Sequence, residues 1–432
     1  MPSPGLWLSL GFLGAARISL YFLLACKFCC RFGKRSGLIQ DRIQPIFPPI
    51  PLHCSVSRTQ ANLPLKLEFL DAIRGIAILL VFVHHALTES FDGFKVGWAG
   101  WLRDIHFASP RFFYPCDLGA MGVSIFFAIS GFCIHWSYER SKTWTLKEFF
   151  TRRFFRIYLP FLVSFIVLLL VSAPMRVGFR SRIQWVPVAS HLLLIQNFTT
   201  GSNFVNPSYW SLALEAQLYL LYPILLFASC RLGWKNTLLV VAASELSIRS
   251  AVGTGIPVSR WLLESPLAFW FSWAVGASVA YAYSQQRIHP LARFPSLVWF
   301  GIGCCCWFFK ALAPFMPTFF SIGGAAIIAR SLAVPNKANG LKAHLAEALS
   351  VVGLCSYSLY LWHQPLLIIF AGLLRLHSPA FLNNGGGRFV ICLGTLAVLI
   401  PFSRILFQMV EVPSIQLAKK LLAGQKNSRI AS

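Results

Sequence analysis

Phe69-Leu-Asp71-Ala-Ile-Arg74-Gly-Ile-Ala-Ile-Leu-Leu-Val-Phe-Val-His84-His85-Ala-Leu87 is an almost wholly apolar run that carries a guanidinium and an imidazole eleven residues apart. At about 1.5 Å and 100° per residue, that spacing completes three helical turns. Arg74 and His85 therefore share one helix face, about 16 Å apart in depth. Ionisable groups are costly in hydrocarbon, and on so apolar a helix they mark a site. Function is to be read from that face and from the polar residues that meet it.

The rest of the chain has the same character. Its 432 residues are 56% hydrophobic and 12% charged, with mean hydropathy +0.64. Soluble domains carry about twice that charge fraction. Runs long enough to cross a bilayer recur at 72–90, 118–137, 154–173, 211–229, 236–252, 265–283, 295–312, 315–333, 350–374 and 388–410. The expected fold is an all-α polytopic transmembrane bundle of about ten spans. Ala313-Pro314 makes a tight turn, and the 295–333 pair, nearly without polar residues, reads as lipid-facing packing. Residues 65–413 form one transmembrane domain, followed by a basic cytoplasmic tail at 414–432. Residues 1–64 are an extension, either an eleventh span with a proline-rich linker or a segment outside the functional product.

The net charge is +24, yet its placement argues against a nucleic-acid partner. Lys and Arg fall in short loops and at helix ends, as the positive-inside rule requires. The 138–156 segment is the most basic and is expected in the cytoplasm, with Lys66, Arg231, Lys235, Arg287, Arg293, Lys337, Lys342, Lys419 and Lys420 on the same side. Arg176, Arg180 and Arg182 break that pattern. The chain reads as a multi-pass protein of the cell inner membrane with cytoplasmic termini. Its twelve cysteines show no disulfide logic. Cys133 and most others lie in spans, where Cys acts as a small hydrophobe. Cys26-x-x-Cys29-Cys30 has no partner pair, so no metal is expected.

Four stretches carry chemistry. In the first, Asp71 and Arg74 can pair at i,i+3, while His84 and His85 either bond within the bundle or serve a reaction. In the second, Gly122 to Phe132, small residues let helices approach, and Ser130-Gly131 can admit a ligand beside the backbone. The third, Arg152-Arg153-Phe-Phe-Arg156, either marks topology or forms a clamp for phosphates, which guanidinium groups bind bidentately. In the fourth, Trp210-Ser-Leu-Ala-Leu-Glu215-Ala-Gln-Leu-Tyr219, a carboxylate lies about one turn inside a span. There it is paired, protonated or snorkelling.

Together these stretches resemble the acyltransferase-3 family of membrane-embedded O-acyltransferases. Phe69-Leu-Asp71-Ala-Ile-Arg74-Gly-Ile-Ala…His85 looks like its opening signature. Phe126-Phe-Ala-Ile-Ser130-Gly131-Phe, Arg152-Arg153-x-x-Arg156-Ile-Tyr, Trp210…Glu215…Tyr219-x-x-Tyr-Pro223, Ser356-Tyr-Ser-Leu-Tyr-Leu-Trp362-His363-x-Pro365 and Glu411-Val-Pro413 follow in order. Ser124, Gln364 and Ala72 depart from the family's usual Asp, Trp and Gly, which bears on donor or acceptor preference. The resemblance implies transfer of an acyl group, acetyl being expected, from acyl-CoA to a hydroxyl of a saccharide, a lipid-linked saccharide or another surface acceptor. It implies His85 and Glu215 as catalytic. Arg74, Arg152, Arg153, Arg156, Ser130 and Gly131 would hold the donor, and Trp210, Tyr219 and His363 the acceptor. Partners would be membrane lipids and polysaccharide-assembly proteins.

The residues suit that chemistry independently. Coenzyme A carries several phosphate charges for the arginines, and a saccharide hydroxyl needs a base, which a neutral imidazole supplies. Transfer is either direct or through an acyl-histidine. Two other readings remain open from the residues: a proton-coupled transporter, and a non-catalytic component of a polysaccharide-assembly system.

Overall fold

The computed structural model describes residues 67–90, 117–141, 144–175, 185–199, 205–334, 340–377 and 385–430. The 1–64 extension with its cysteine cluster, Lys66, Arg176, Arg180, Arg182 and Lys337 lie outside these residues. The described residues contain no strand. Their principal helices are α1 (Phe69–Ser90), α2 (Leu118–Glu139), α3 (Leu146–Arg153), α4 (Leu159–Met175), α5 (Trp185–Leu192), α6 (Tyr209–Gly253) and α7 (Trp270–Ser284). They continue with α8 (Ser296–Cys306), α9 (Met316–Ala333), α10 (Leu341–Leu354), α11 (Ser356–His377), α12 (Gly385–Leu406) and α13 (Val412–Ile430).

Lipid offers no hydrogen bonds, so the backbone satisfies itself as helix and the side chains sort by face. On α1, Leu70, Ile73, Ala77, Ile78, Val81 and Phe82 are buried, while Ile76 and Val83 lie outward. Val163, Ile166 and Leu170 of α4 and Ile224 and Leu239 of α6 are likewise exposed apolar residues. Such a surface belongs in hydrocarbon: this is an all-α membrane bundle.

Six described helices are long and apolar enough to cross a bilayer, or up to seven if Leu341–Leu354 and Ser356–Phe370, bent by 74° at their break, count as one. About ten were expected, and the difference has local causes. The 211–229 and 236–252 runs lie on the two helical segments of α6, which meet at a non-helical Gly233 (φ 74°), so this one element of 45 residues holds two of the expected runs. Helices α7 and α8 have 15 and 11 residues, short of the ~20 that a crossing needs. The 350–374 run is broken at Cys355, between α10 and α11.

Helix α2 is the hub, packed against α1, α7 and α9. Its approach to α7 is so close that a Cβ on Gly131 would lie 2.0 Å from the Trp273 carbonyl oxygen. The α1–α10 crossing is equally tight, with a Cβ on Gly353 falling 1.7 Å from the Asp71 carbonyl oxygen. Small residues make these contacts possible. They also correct the expectation for 295–333: Phe320, Ala325, Ala326 and Ile328 of α9 are fully buried, against α2. Featurelessness in α9 reflects close packing, whereas α8 keeps Leu297, Val298 and Ile302 outward, as lipid-facing packing requires.

Behind the hub, Glu245 and Arg249 form a buried ion pair at 3.1 Å. Glu245 also accepts from the Ser272 amide and hydroxyl and from Thr318, and Arg249 donates to the carbonyls of Pro314 and Ala268. A buried pair with such full hydrogen bonding is compensated charge, and it ties α6 to α7 and α9.

Candidate functional site

His85 meets α11 rather than the arginines. Its Nδ1 lies 2.9 Å from the Val81 carbonyl and 3.3 Å from His363 Nε2. The two rings are edge to face, with centroids 4.9 Å apart. His363 is fully buried, and its Nδ1 is 2.7 Å from the Tyr360 carbonyl. His84 pairs elsewhere, 3.2 Å from Asp117, which also caps α2 by accepting from the Ala120 amide.

The start of α6 is built into this place. Asn206 turns the chain by accepting from the Ser208 amide and anchors it by donating to the Leu361 carbonyl. Ser208 Oγ then donates to Gln364 Oε1 at 2.6 Å and stands 3.4 Å from His363 Nε2. Tyr360 donates to the Ser208 carbonyl and lies 2.6 Å from the Ser211 hydroxyl.

Seven residues along α6 from Ser208, about 10 Å at 1.5 Å per residue, stands Glu215. Its Oε1 accepts from Ser130 Oγ at 2.7 Å and from Tyr219 OH at 2.5 Å. Trp273 Nε1 donates to the same serine at 3.2 Å. The Arg153 guanidinium sits 5.8 Å from the Tyr219 ring and 5.9 Å from that of Phe149, held by cation–π attraction. Glu215, Tyr219, Arg156 and Cys133 are all within its electrostatic range. The Nε of Arg153 is buried without a hydrogen-bond partner.

Arg74 reaches the same neighbourhood through Cys133. It pairs with Asp71 at 2.6 Å, as the i,i+3 spacing suggested, and donates to Cys133 Sγ at 3.1 Å. The site therefore has two storeys. The histidine pair and Ser208 make one; Ser130, Glu215, Tyr219 and the Arg153 guanidinium make the other.

The remaining expected residues fall as follows. Arg152 is exposed and lies 4.0 Å from Glu148. Arg156 is exposed, in a π turn (Phe154–Tyr158) between α3 and α4. Such a turn widens the helix and loosens its ladder: the Phe155 carbonyl accepts from Ser414, and that of Ile157 from Tyr357 at 2.7 Å. Gly131 faces the α7 backbone, a helix crossing rather than a ligand. Trp210 packs on Phe269 at 6.0 Å. Glu215 and Tyr219, expected at opposite jobs, share one hydrogen bond.

Two contributors, Cys133 and Ser208, were not singled out from sequence, and Glu411, quoted in the last motif, was given no role. Cys133 bonds a guanidinium, where a small hydrophobe was expected. Ser208 links α6 to His363 through a loop that carries no periodic signal. Glu411 accepts from the amide and hydroxyl of Ser358 at 2.9 and 2.5 Å, a carboxylate at the positive end of α11.

The profile of the acyltransferase domain family matches residues 67–404. The chain belongs to this family. It is 23% identical over 348 residues to a peptidoglycan O-acetyltransferase, OatA, of Listeria monocytogenes, covering 72% of this chain and 51% of the relative. An O-acetyltransferase, OatA, of Staphylococcus aureus is 24% identical over 339 residues, covering 71% and 51%. Acyltransferase MdmB of Streptomyces mycarofaciens is 31% identical over 168 residues, covering 37% and 39%. The chain thus spans about half the length, or less, of these curated relatives. No solved structure matches it.

Proposed function

We propose that the chain is a membrane O-acyltransferase that moves an acyl group, acetyl foremost, from acyl-CoA to a saccharide hydroxyl at the cell surface. The observation that carries this reading is the spacing of the two storeys inside one bundle. An imidazole stands at one level, and the Arg74 guanidinium stands about 16 Å along α1 from it by the helical rise between them, with Arg153 near the same Cys133 that Arg74 bonds. Coenzyme A has that shape, with phosphates at one end and a thioester at the tip of a long arm. Arg153, with its unpartnered Nε–H, and Arg156 suit the phosphates. Two of the relatives are named O-acetyltransferases, which supports the same chemistry.

In this reading the acceptor hydroxyl gives its proton to His85 as its oxygen attacks the thioester carbon. The C–O bond forms, the C–S bond breaks, and the leaving sulfur takes the proton back from the imidazole. The first turn of α6 begins beside His363, and its amide ends carry the partial positive charge that suits an oxyanion. In this reading Glu215 and Tyr219 stand between the donor phosphates and the histidine pair. The arginine end faces the cytoplasm, where acyl-CoA resides, in the plasma membrane.

The test uses purified protein in liposomes with acetyl-CoA labelled in the acetyl group and glycan fragments as acceptors. Label should appear in an alkali-labile ester, with equimolar release of CoA. Ion-driven flux of the glycan without CoA release would identify a transporter instead.

A further inference from the structure

Two backbone carbonyls fix the protons of the histidine pair. His85 Nδ1 lies 2.9 Å from the Val81 carbonyl, and His363 Nδ1 lies 2.7 Å from that of Tyr360. A carbonyl only accepts, so each Nδ1 carries hydrogen, and in a neutral imidazole the other nitrogen then holds the lone pair. His85 Nδ1 is also 3.3 Å from His363 Nε2. The hydrogen of the first ring is therefore shared with the lone pair of the second. Ser208 stands near the same nitrogen, but its one proton goes to Gln364 at 2.6 Å, which leaves His85 as the donor.

From this geometry we propose that His363 is a positioning residue for His85, not a contact for the acceptor. It fixes the plane of the His85 ring, leaves Nε2 as the basic nitrogen, and receives the Nδ1–H when Nε2 gains a proton. A carboxylate in the same place would bring a second charge into the bundle, and burying a charge is expensive. A neutral imidazole orients the base without one. The role in turnover rests on the acyl-transfer reading; the proton positions do not.

The experiment compares wild type, His363→Asn and His363→Leu in nanodiscs, with histidines labelled by ¹⁵N and with acetyl transfer measured in parallel. Nitrogen shifts should show a protonated Nδ1 and an unprotonated Nε2 on both rings of the wild type, and the His85 Nδ1 shift should move in His363→Leu. The Leu variant should lose about 100-fold in kcat, the low end of what a well-placed base contributes, with the donor KM unchanged. The Asn variant, whose amide oxygen accepts the same hydrogen, should recover at least a tenth of the wild-type kcat. Nε2–H on His85, a folded Leu variant with wild-type kcat, or an Asn variant as slow as Leu would each overturn the proposal. If the wild type transfers no acyl group, the functional reading fails, and the nitrogen shifts alone decide the hydrogen bond.

Discussion

Replacing Arg153 by Gln should raise the concentration of acyl-CoA needed for half-maximal rate while leaving kcat little changed. The structure sets the size of the effect. The guanidinium is already oriented by the rings of Tyr219 and Phe149, at 5.8 and 5.9 Å, so little entropy is lost when it meets an anion. Its Nε is buried and unpartnered, and a hydrogen bond to a charged group contributes about 1.5–3 kcal/mol. At about 1.4 kcal/mol per tenfold, losing one such bond weakens donor binding about 10- to 150-fold. A loss of binding common to ground and transition state appears in KM. Arg153→Lys, which keeps charge but not the planar fork, should fall between. The assay is initial rate against acetyl-CoA concentration in nanodiscs, with folding checked by gel filtration. An unchanged donor dependence in folded Arg153→Gln protein would return this arginine to a topological role.

Other outcomes follow from the same contacts. Glu245→Leu strands the Arg249 charge and should cost about 3–5 kcal/mol, read as a lower Tm in detergent; an unchanged Tm would deny the pair its structural role. Gly353→Val pushes a side chain into the Asp71 carbonyl, 1.7 Å from the Cβ position, and should abolish the folded monomer. His289 lies outside the long spans and receives the Leu291 amide on Nδ1 at 3.3 Å. Burial pushes it down to about 4, against about 6.5 unfolded. The folded state holds this ring neutral, so its contribution is present above pH 6.5 and is lost as pH falls from about 6.5 to about 4. Thermal unfolding at pH 7 and pH 5 should show that loss, and His289→Asn should reduce it; equal pH sensitivity in the variant contradicts the assignment.

Much of the site was legible because it lies in local spacing. Asp71 and Arg74 are three apart and pair as expected; Glu215 and Tyr219 are four apart, and the hydrogen bond that Tyr219 donates to Glu215 was not read from that spacing. The membrane character was equally plain from apolar runs with charge at their ends. What escaped reading was pairing at long range and breaks in helices. His85 and His363 are 278 residues apart, and nothing in either run announces the other. Glu245 and Arg249 did leave a signal, an i,i+4 acid–base pair in an apolar stretch. The π turn at Phe154–Tyr158 and the bend at Cys355 arise from tertiary packing, which periodicity cannot see. The runs read at 211–229 and 236–252 are the two helical segments that Gly233 separates. The packing of α9 against α2 was hidden because small residues look alike whether they face lipid or a neighbouring backbone.

The most direct measurement is acetyl transfer by His85→Ala, beside wild type and His84→Ala, in liposomes with labelled acetyl-CoA. The histidine that meets His363 should be indispensable: no labelled ester from folded His85→Ala protein, and only a modest decrease for His84→Ala, whose ring pairs with Asp117. Ester formation at the wild-type rate without the His85 imidazole would contradict the account.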